Sequence, residues 1–170
     1  MGLSAHAAAR QVTVVFLFTL SMTACSPVPK FDPDRDARTS FEAATSQASA
    51  EARYLMVVFG ADWCPDCRKL YENLHSDAVA SYMRDHMDFV TIDVGQKDRN
   101  LALAAELGVT VANGIPVAVF FGPDGKQLGT TNDGQLEPSR HFTSRQILTF
   151  VRTVVEHHRI TAPLVEKTSG

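Results

Sequence analysis

The stretch VVFGADWCPDC, residues 57–67, decides how this chain folds. It ends in two cysteines separated by two residues, a spacing typical either of half a metal site or of a dithiol that cycles with a disulfide. A structural zinc site needs about four ligands, whereas the only other cysteine, Cys25, lies far upstream and no His-x3–5-His pair follows. The pattern therefore favours redox chemistry at Cys64 and Cys67, and no bound metal is expected.

The flanking residues place this pair where a strand ends and a helix begins. Residues 54–59 form a short apolar block that predicts a buried strand, and apolar residues recur at helical spacing after Cys67. Pro65 suits the first helical position, where its missing N–H costs nothing. Free amides and the positive end of the helix dipole then favour a thiolate at Cys64. Cys64 is predicted to attack a disulfide, and Cys67, about one turn away, to resolve the mixed disulfide.

Charged residues around the pair are expected to tune it. Asp62 and Asp66 flank the predicted nucleophile and should raise its pKa, while Arg68 and Lys69 oppose them weakly. The expected result is a modestly lowered pKa of Cys64. The alternative is that these four charges form a solvated rim with no catalytic purpose.

Residues 57–67 resemble the active-site strand and helix of the thioredoxin superfamily, and Gly114-Ile115-Pro116 with the following strand resembles its cis-proline loop. The resemblance covers roughly residues 40–158. It is nearest to the C-terminal domain of the membrane thiol:disulfide interchange protein and to small periplasmic thioredoxin-like proteins. It implies a cis bond before Pro116, and substrate contact by four residues: Trp63, Pro65, Ile115 and Pro116. The alternative is a trans proline that starts a strand.

Two positions depart from that family. The superfamily often has a buried Asp six residues before the first cysteine and a Lys on the next strand, whereas this chain has Val58 and a segment around Phe89. Proton transfer from Cys67 would then use water or a neighbour such as Glu72. Resolution of the mixed disulfide is therefore expected to be slower than in thioredoxin.

The first 25 residues predict a targeting segment. Residues 12–20 form an apolar run that is too short to span a bilayer as a helix. Residues 21–25 resemble a bacterial lipoprotein cleavage box, after which Cys25 would carry the lipid; cleavage by the ordinary signal peptidase is the alternative. Ser26 stands where an Asp often retains such lipoproteins at the inner membrane. The expectation is a lipid-anchored periplasmic protein of a Gram-negative bacterium, with the outer membrane favoured.

The remaining pattern predicts a thioredoxin-like α/β domain. The element order α-β-α-β-α-β-β-α fits a central mixed β-sheet flanked by helices on both faces. Ser40 is expected to cap the first helix, and Thr143 or Ser144 the last. A polar loop at residues 130–142 is expected either to influence partner choice or to be a tolerated surface insertion. The predicted divisions are a signal peptide 1–24, a tether 25–39, the domain 40–158 and a tail 159–170.

Charge excludes some classes of partner. The chain has 16 Lys and Arg against 19 Asp and Glu, a net charge of −3, so it has no basic footprint for nucleic acid or anionic lipid. The leading prediction is an anchored thiol:disulfide oxidoreductase that reduces disulfide-bearing extracytoplasmic proteins, takes electrons from a membrane carrier and needs no cofactor. The alternatives are a disulfide-forming oxidant, a copper(I) chaperone, or an interaction module with vestigial redox activity.

Overall fold

The computed structural model describes residues 29–160. The predicted signal peptide, Cys25 and residues 161–170 lie outside this range. Four strands, five helices and one 3-10 turn follow along the described chain: α1 Ala37–Ala50, β1 Tyr54–Gly60, α2 Pro65–Leu74, α3 Asp77–His86, β2 Met87–Asp93, α4 Leu101–Glu106, β3 Val117–Phe121, β4 Gln127–Thr130, the turn Ser139–His141 and α5 Ser144–His157. No helix between residues 29 and 160 is long and apolar enough to cross a membrane.

The strands form one mixed sheet in the order β2-β1-β3-β4. β1 runs parallel to β2 and antiparallel to β3, and β3 and β4 form an antiparallel hairpin. In the centre, Val57 pairs with Val90 on one side and Val119 on the other. Every residue of β3, and every residue of β1 after Tyr54, is buried. Because alternate side chains point to opposite faces, this burial means that both faces are covered, as predicted.

The domain begins earlier than the sequence predicted. Helix α1 starts at Ala37, and its cap is Asp36 rather than Ser40: the Asp36 carboxylate accepts a hydrogen bond from the Thr39 amide at 2.7 Å. The predicted tether, residues 25–39, is therefore folded in its second half. Its aromatic residue Phe31 is 1% exposed and belongs to the core.

Phe31 packs against the end of β1, at Gly60. A Cβ at Gly60 would lie 2.6 Å from Phe31 Cε1 and 3.0 Å from Cys67 Sγ, so only glycine leaves room for both. The Lys30 carbonyl accepts a hydrogen bond from the Thr91 hydroxyl at 2.8 Å on β2. The segment that leads into the domain is thus fixed beside the cysteine pair.

The helical pattern after Cys67 forms two helices rather than the single one predicted. Helix α2 ends at Leu74, and α3 begins after Ser76, whose backbone is extended. The Ser76 hydroxyl donates to the Asn73 carbonyl at 2.6 Å and so satisfies one free carbonyl at the end of α2. At the last helix, Thr143 forms a capping box with Gln146, which confirms Thr143 as the cap.

The segment 131–142, named here the 131–142 loop, is packed rather than free. Leu136, Ser139 and Phe142 are buried. Thr131 bonds Ala118 of β3 twice, because its amide donates to the Ala118 carbonyl at 2.9 Å and its hydroxyl accepts from the Ala118 amide at 2.8 Å. This loop is therefore packed against the domain through its buried residues, and its influence on partner choice stays a prediction.

Candidate active site

Cys64 is the N-cap residue of α2, and Pro65 is the first helical residue, as the sequence predicted. The Cys64 sulfur accepts a hydrogen bond from the Cys67 amide at 3.2 Å. The thiol of Cys64 in turn donates to the Ile115 carbonyl at 3.4 Å. The Ile115–Pro116 bond is cis, which confirms the predicted isomer. The Cys64 sulfur thus lies between the start of a helix and the cis-proline loop.

The two cysteines differ sharply in acidity. The pKa of Cys64 is lowered to about 7, first by a hydrogen bond from the Cys67 thiol, which outweighs the opposing effect of burial, and then by the amides of Cys67 and Asp66. The pKa of Cys67 is raised far above its usual range, mainly by burial and further by its bond to Cys64. At neutral pH, Cys64 is therefore the available thiolate and Cys67 holds its proton.

The two cysteines differ less in solvent exposure than in pKa. Both residues are buried: Cys64 is 4% exposed and Cys67 0%. The cis-proline loop covers Cys64, because Ile115 and Pro116 are buried next to it. An incoming disulfide must therefore reach the small exposed part of the Cys64 sulfur.

Asp66 lies between the cysteines and is 5% exposed. Its Oδ1 accepts from the Arg140 amide at 2.8 Å and from Arg140 Nε at 3.0 Å, and its Oδ2 accepts from Nη2 at 2.6 Å. The negative charge of Asp66 raises the pKa of Cys64, as predicted, but by less than burial does. Arg140 was not identified from the sequence, because it lies 74 residues from its partner.

Asp62 holds the segment before α1 in place. Its carboxylate accepts from the Phe31 amide at 3.1 Å and the Lys30 amide at 3.3 Å. The predicted effect of its charge on the pKa of Cys64 stays a prediction. Arg68 binds the backbone just before the pair, because its Nη1 donates to the carbonyls of Asp62 and Trp63 at 2.8 and 3.1 Å.

Trp63 and Pro65, the other two predicted substrate contacts, lie on the surface beside Cys64. Trp63 is 47% exposed, and its indole N–H donates to the Gly95 carbonyl at 2.8 Å. It borders an open pocket of about 540 Å³ that Phe31 and Asp93 also line. Burial raises the pKa of Asp93. The structure thus gathers the predicted contacts around one sulfur, and their role in substrate binding stays a prediction.

Glu72, the neighbour that the sequence suggested as proton acceptor for Cys67, lies on the surface. It is half exposed and pairs with Lys30 at 3.3 Å and Lys69 at 3.9 Å. In the reduced pair the Cys67 thiol keeps its proton and donates a hydrogen bond to the Cys64 sulfur, which stabilises the Cys64 thiolate before the first exchange. Within residues 29–160, no group of three or more His, Cys, Asp or Glu side chains could hold a metal ion.

This arrangement can carry out thiol–disulfide exchange, and comparisons with known proteins agree with it. A family model described as thioredoxin-like matches residues 36–123. A solved structure described as a disulphide isomerase from Xylella fastidiosa Temecula1 is 32% identical, with a TM-score of 0.72, over 76% of this chain and 98% of that one. A structure described as DsbH oxidoreductase shares the fold at 24% identity and a TM-score of 0.50, over 69% of this chain and 83% of that one. No curated protein sequence matches the chain. The match over half of its length and the relative at 32% identity show that the chain belongs to the thioredoxin superfamily.

Proposed function

We propose that this protein is a thiol:disulfide oxidoreductase that reduces disulfides of other proteins through Cys64 and Cys67. The observation that carries the proposal is the paired acidity of the two thiols: the pKa of Cys64 is about 7, whereas that of Cys67 is raised. Only such a pair supplies a nucleophile at neutral pH and keeps a second thiol in reserve for resolution.

The reaction runs in two exchanges. The Cys64 thiolate attacks one sulfur of the substrate disulfide, the substrate S–S bond breaks, and the departing sulfur leaves as a thiolate that takes up a proton. Cys67 then loses its proton and attacks the Cys64 sulfur of the mixed disulfide, which releases the second substrate thiol. The substrate gains two electrons and two protons, and the protein ends with a Cys64–Cys67 disulfide.

The acidity of Cys64 supports the reducing direction. A dedicated oxidant holds its nucleophile at a pKa of about 3.5, which stabilises the dithiol, whereas thioredoxin has a pKa of about 7 and a potential of about −270 mV. The pKa of Cys64, about 7, is similar to that of thioredoxin. The surroundings differ from those expected from the sequence, because the carboxylate of Asp62 binds the amides of residues 30–31 and that of Asp66 binds Arg140.

A second candidate is disulfide isomerisation. The relative at 32% identity is described as a disulphide isomerase. Isomerisation begins with the same attack by Cys64 but ends when a thiol of the substrate releases the enzyme, with no net electron transfer. Recovery of activity from a scrambled, fully oxidised substrate protein would distinguish it from net reduction.

We place the activity outside the cytoplasm. Residues 21–25 resemble a lipoprotein cleavage box, which supports a lipid anchor at Cys25 and a periplasmic location, with the outer membrane favoured. The clients would be disulfide-bearing extracytoplasmic proteins. Each cycle leaves the pair oxidised, so a membrane electron carrier is the proposed donor, since that compartment lacks a cytosolic type of reductant pool.

The test is equilibration of the full-length protein with glutathione buffers of known potential. We expect a Cys64–Cys67 pair that is disulfide-bonded in a buffer poised at about −200 mV, and a potential near −270 mV. A pair that stays reduced in that buffer would overturn the reductant proposal. Cys64→Ala and Cys67→Ala variants should both abolish net reduction of a protein disulfide, since one removes the nucleophile and the other the resolving thiol.

A further inference from the structure

Arg140, in the 131–142 loop, binds Asp66, which lies between the two cysteines. Arg140 donates four hydrogen bonds to the Asp66 carboxylate, three from the guanidinium and one from its own amide. Asp66 is buried, whereas the Arg140 side chain is 55% exposed at the rim of the site. A planar guanidinium that bonds a carboxylate through two nitrogens is a geometrically specific contact.

A second buried polar residue of α2 ties the same stretch of chain to the helix. Asn73 donates to the Phe142 carbonyl at 3.0 Å and accepts from the Ser144 hydroxyl at 3.2 Å. Asp66 and Asn73 thus attach the end of the 131–142 loop to both ends of the active-site helix. The backbone on the C-terminal side of Arg140 is therefore fixed to α2 independently of the Asp66–Arg140 pair.

We infer that Arg140 is a positioning residue of the redox centre, which holds the Asp66 carboxylate and compensates its charge, so that the negative charge between the cysteines does not suppress the Cys64 thiolate. The inference rests on the proposed exchange chemistry at Cys64. It assigns the 131–142 loop a role in setting the reactivity of the pair.

The charges that face Cys64 support this assignment. Asp66 raises the pKa of Cys64 from within α2, and Cys67 and the helix amides lower it. From the 131–142 loop, Arg140 interacts electrostatically with both Asp66 and Cys64. The cis-proline loop presents the uncharged Ile115 carbonyl to Cys64. On the same side, the charged residue Glu137 packs against the neighbouring Gly114. Two cationic side chains therefore lie near the pair. Arg68 donates to the backbone carbonyls of Asp62 and Trp63, whereas Arg140 binds the carboxylate between the two cysteines.

The test compares reduced full-length wild type with Arg140→Gln by measuring the rate of Cys64 alkylation against pH, read from the Cys64 peptide by mass spectrometry. Without the guanidinium, Asp66 should act on the thiolate unopposed, so the alkylation midpoint should move to higher pH and the thiolate fraction below pH 7 should fall about threefold or more. Above about pH 8, where Cys64 is mostly thiolate, equilibration with glutathione should shift by close to the same factor toward the disulfide, about 14 mV at 29.6 mV per tenfold.

A double-mutant cycle separates an effect through Asp66 from a direct one. Asp66→Asn alone should move the midpoint to lower pH, because the repelling charge is lost while the guanidinium remains. In the D66N background, Arg140→Gln should have a clearly smaller effect than in the wild type. Arg140→Lys keeps the positive charge but loses the two-nitrogen contact, so its alkylation midpoint should lie between those of the wild type and Arg140→Gln.

The matched control is Arg38→Gln, which also breaks a two-nitrogen Arg–carboxylate pair, with Glu106 on the surface. It should leave the alkylation midpoint unchanged. An unchanged midpoint in Arg140→Gln, or an equal shift in the D66N background, would overturn the inference. If Arg140→Gln does not fold, an unchanged midpoint in Asp66→Asn would overturn it instead. These readings need no protein substrate, so they stand whether the wild type proves to be a reductant or an oxidant.

Discussion

Replacement of Phe31 by alanine tests whether the segment before α1 is part of the domain. Phe31 is 1% exposed and packs against Gly60, and its amide donates to Asp62. Removing a buried phenylalanine side chain costs about 3–5 kcal/mol, a large share of the roughly 5–15 kcal/mol by which a domain is stable. Phe31→Ala should therefore lower the free energy of unfolding by about 4 kcal/mol.

Urea unfolding followed by circular dichroism measures this loss. With an m-value of about 2 kcal/mol/M, a loss of about 4 kcal/mol lowers the urea midpoint by about 2 M. The control is Leu101→Ala, because Leu101 is 44% exposed and its truncation should cost about 0.5 kcal/mol or less. If Phe31→Ala costs no more than that control, the segment is a tether after all and our account of its packing fails.

A second variant locates the packing partner of the ring. Gly60→Ala should cost about 1–3 kcal/mol by overpacking, because the added Cβ would meet Phe31 Cε1 at 2.6 Å and Cζ at 2.7 Å. In the F31A background those ring atoms are gone, so the same substitution should cost less. Equal costs of Gly60→Ala in the two backgrounds would show that Phe31 does not pack there.

Three further predictions concern the site, the last helix and the anchor. The alkylation rate of Cys64 should rise about tenfold per pH unit below pH 7 and level off above pH 8, because its pKa is about 7. Cys67→Ala should move the midpoint of this pH profile to higher pH and should accumulate mixed disulfides in cells. An unmoved midpoint would contradict the hydrogen bond from the Cys67 thiol to Cys64. Thr143→Ala should destabilise the domain by about 1 kcal/mol through loss of the α5 cap, measured by urea unfolding against Thr149→Ala on the same helix, and equal effects would contradict the capping role. Cys25→Ser should release the protein from the membrane fraction with disulfide exchange unimpaired, and a wild type that incorporates no labelled fatty acid would refute the anchor.

The features that could be predicted from the sequence are those that local chemistry decides. Pro65 after Cys64 marks a helix start because proline lacks only an amide that has no partner there. Thr143 with Gln146 three residues later forms a cap from neighbours alone. The mixed sheet follows from apolar blocks separated by turns and helices. For the helix start and the cap, the deciding contact lies within a few residues of the signal.

The features that were missed depend on contacts between distant residues. Asp62 and Asp66 look equivalent in the sequence, yet one carboxylate binds the amides of residues 30–31 and the other binds Arg140. Nothing near Arg140 distinguishes it from a solvated arginine. Phe31 is a single aromatic residue among prolines and charges, a composition typical of a flexible linker. The partner of each of these two similar charges is decided by tertiary structure.

The contacts of Lys30 and Phe31 with Asp62 also determine how far the dithiol can travel. For a chain lipidated at Cys25, the five-residue step from Cys25 to Lys30 spans at most about 18 Å when fully extended, whereas a tether to residue 40 would span about 50 Å. The attachment point is next to Trp63 and Cys64 in the chain, so the reactive sulfur stays near the lipid headgroups. Accessible disulfides are then those held close to the bilayer surface, and clients that diffuse freely through the compartment must first come to the membrane.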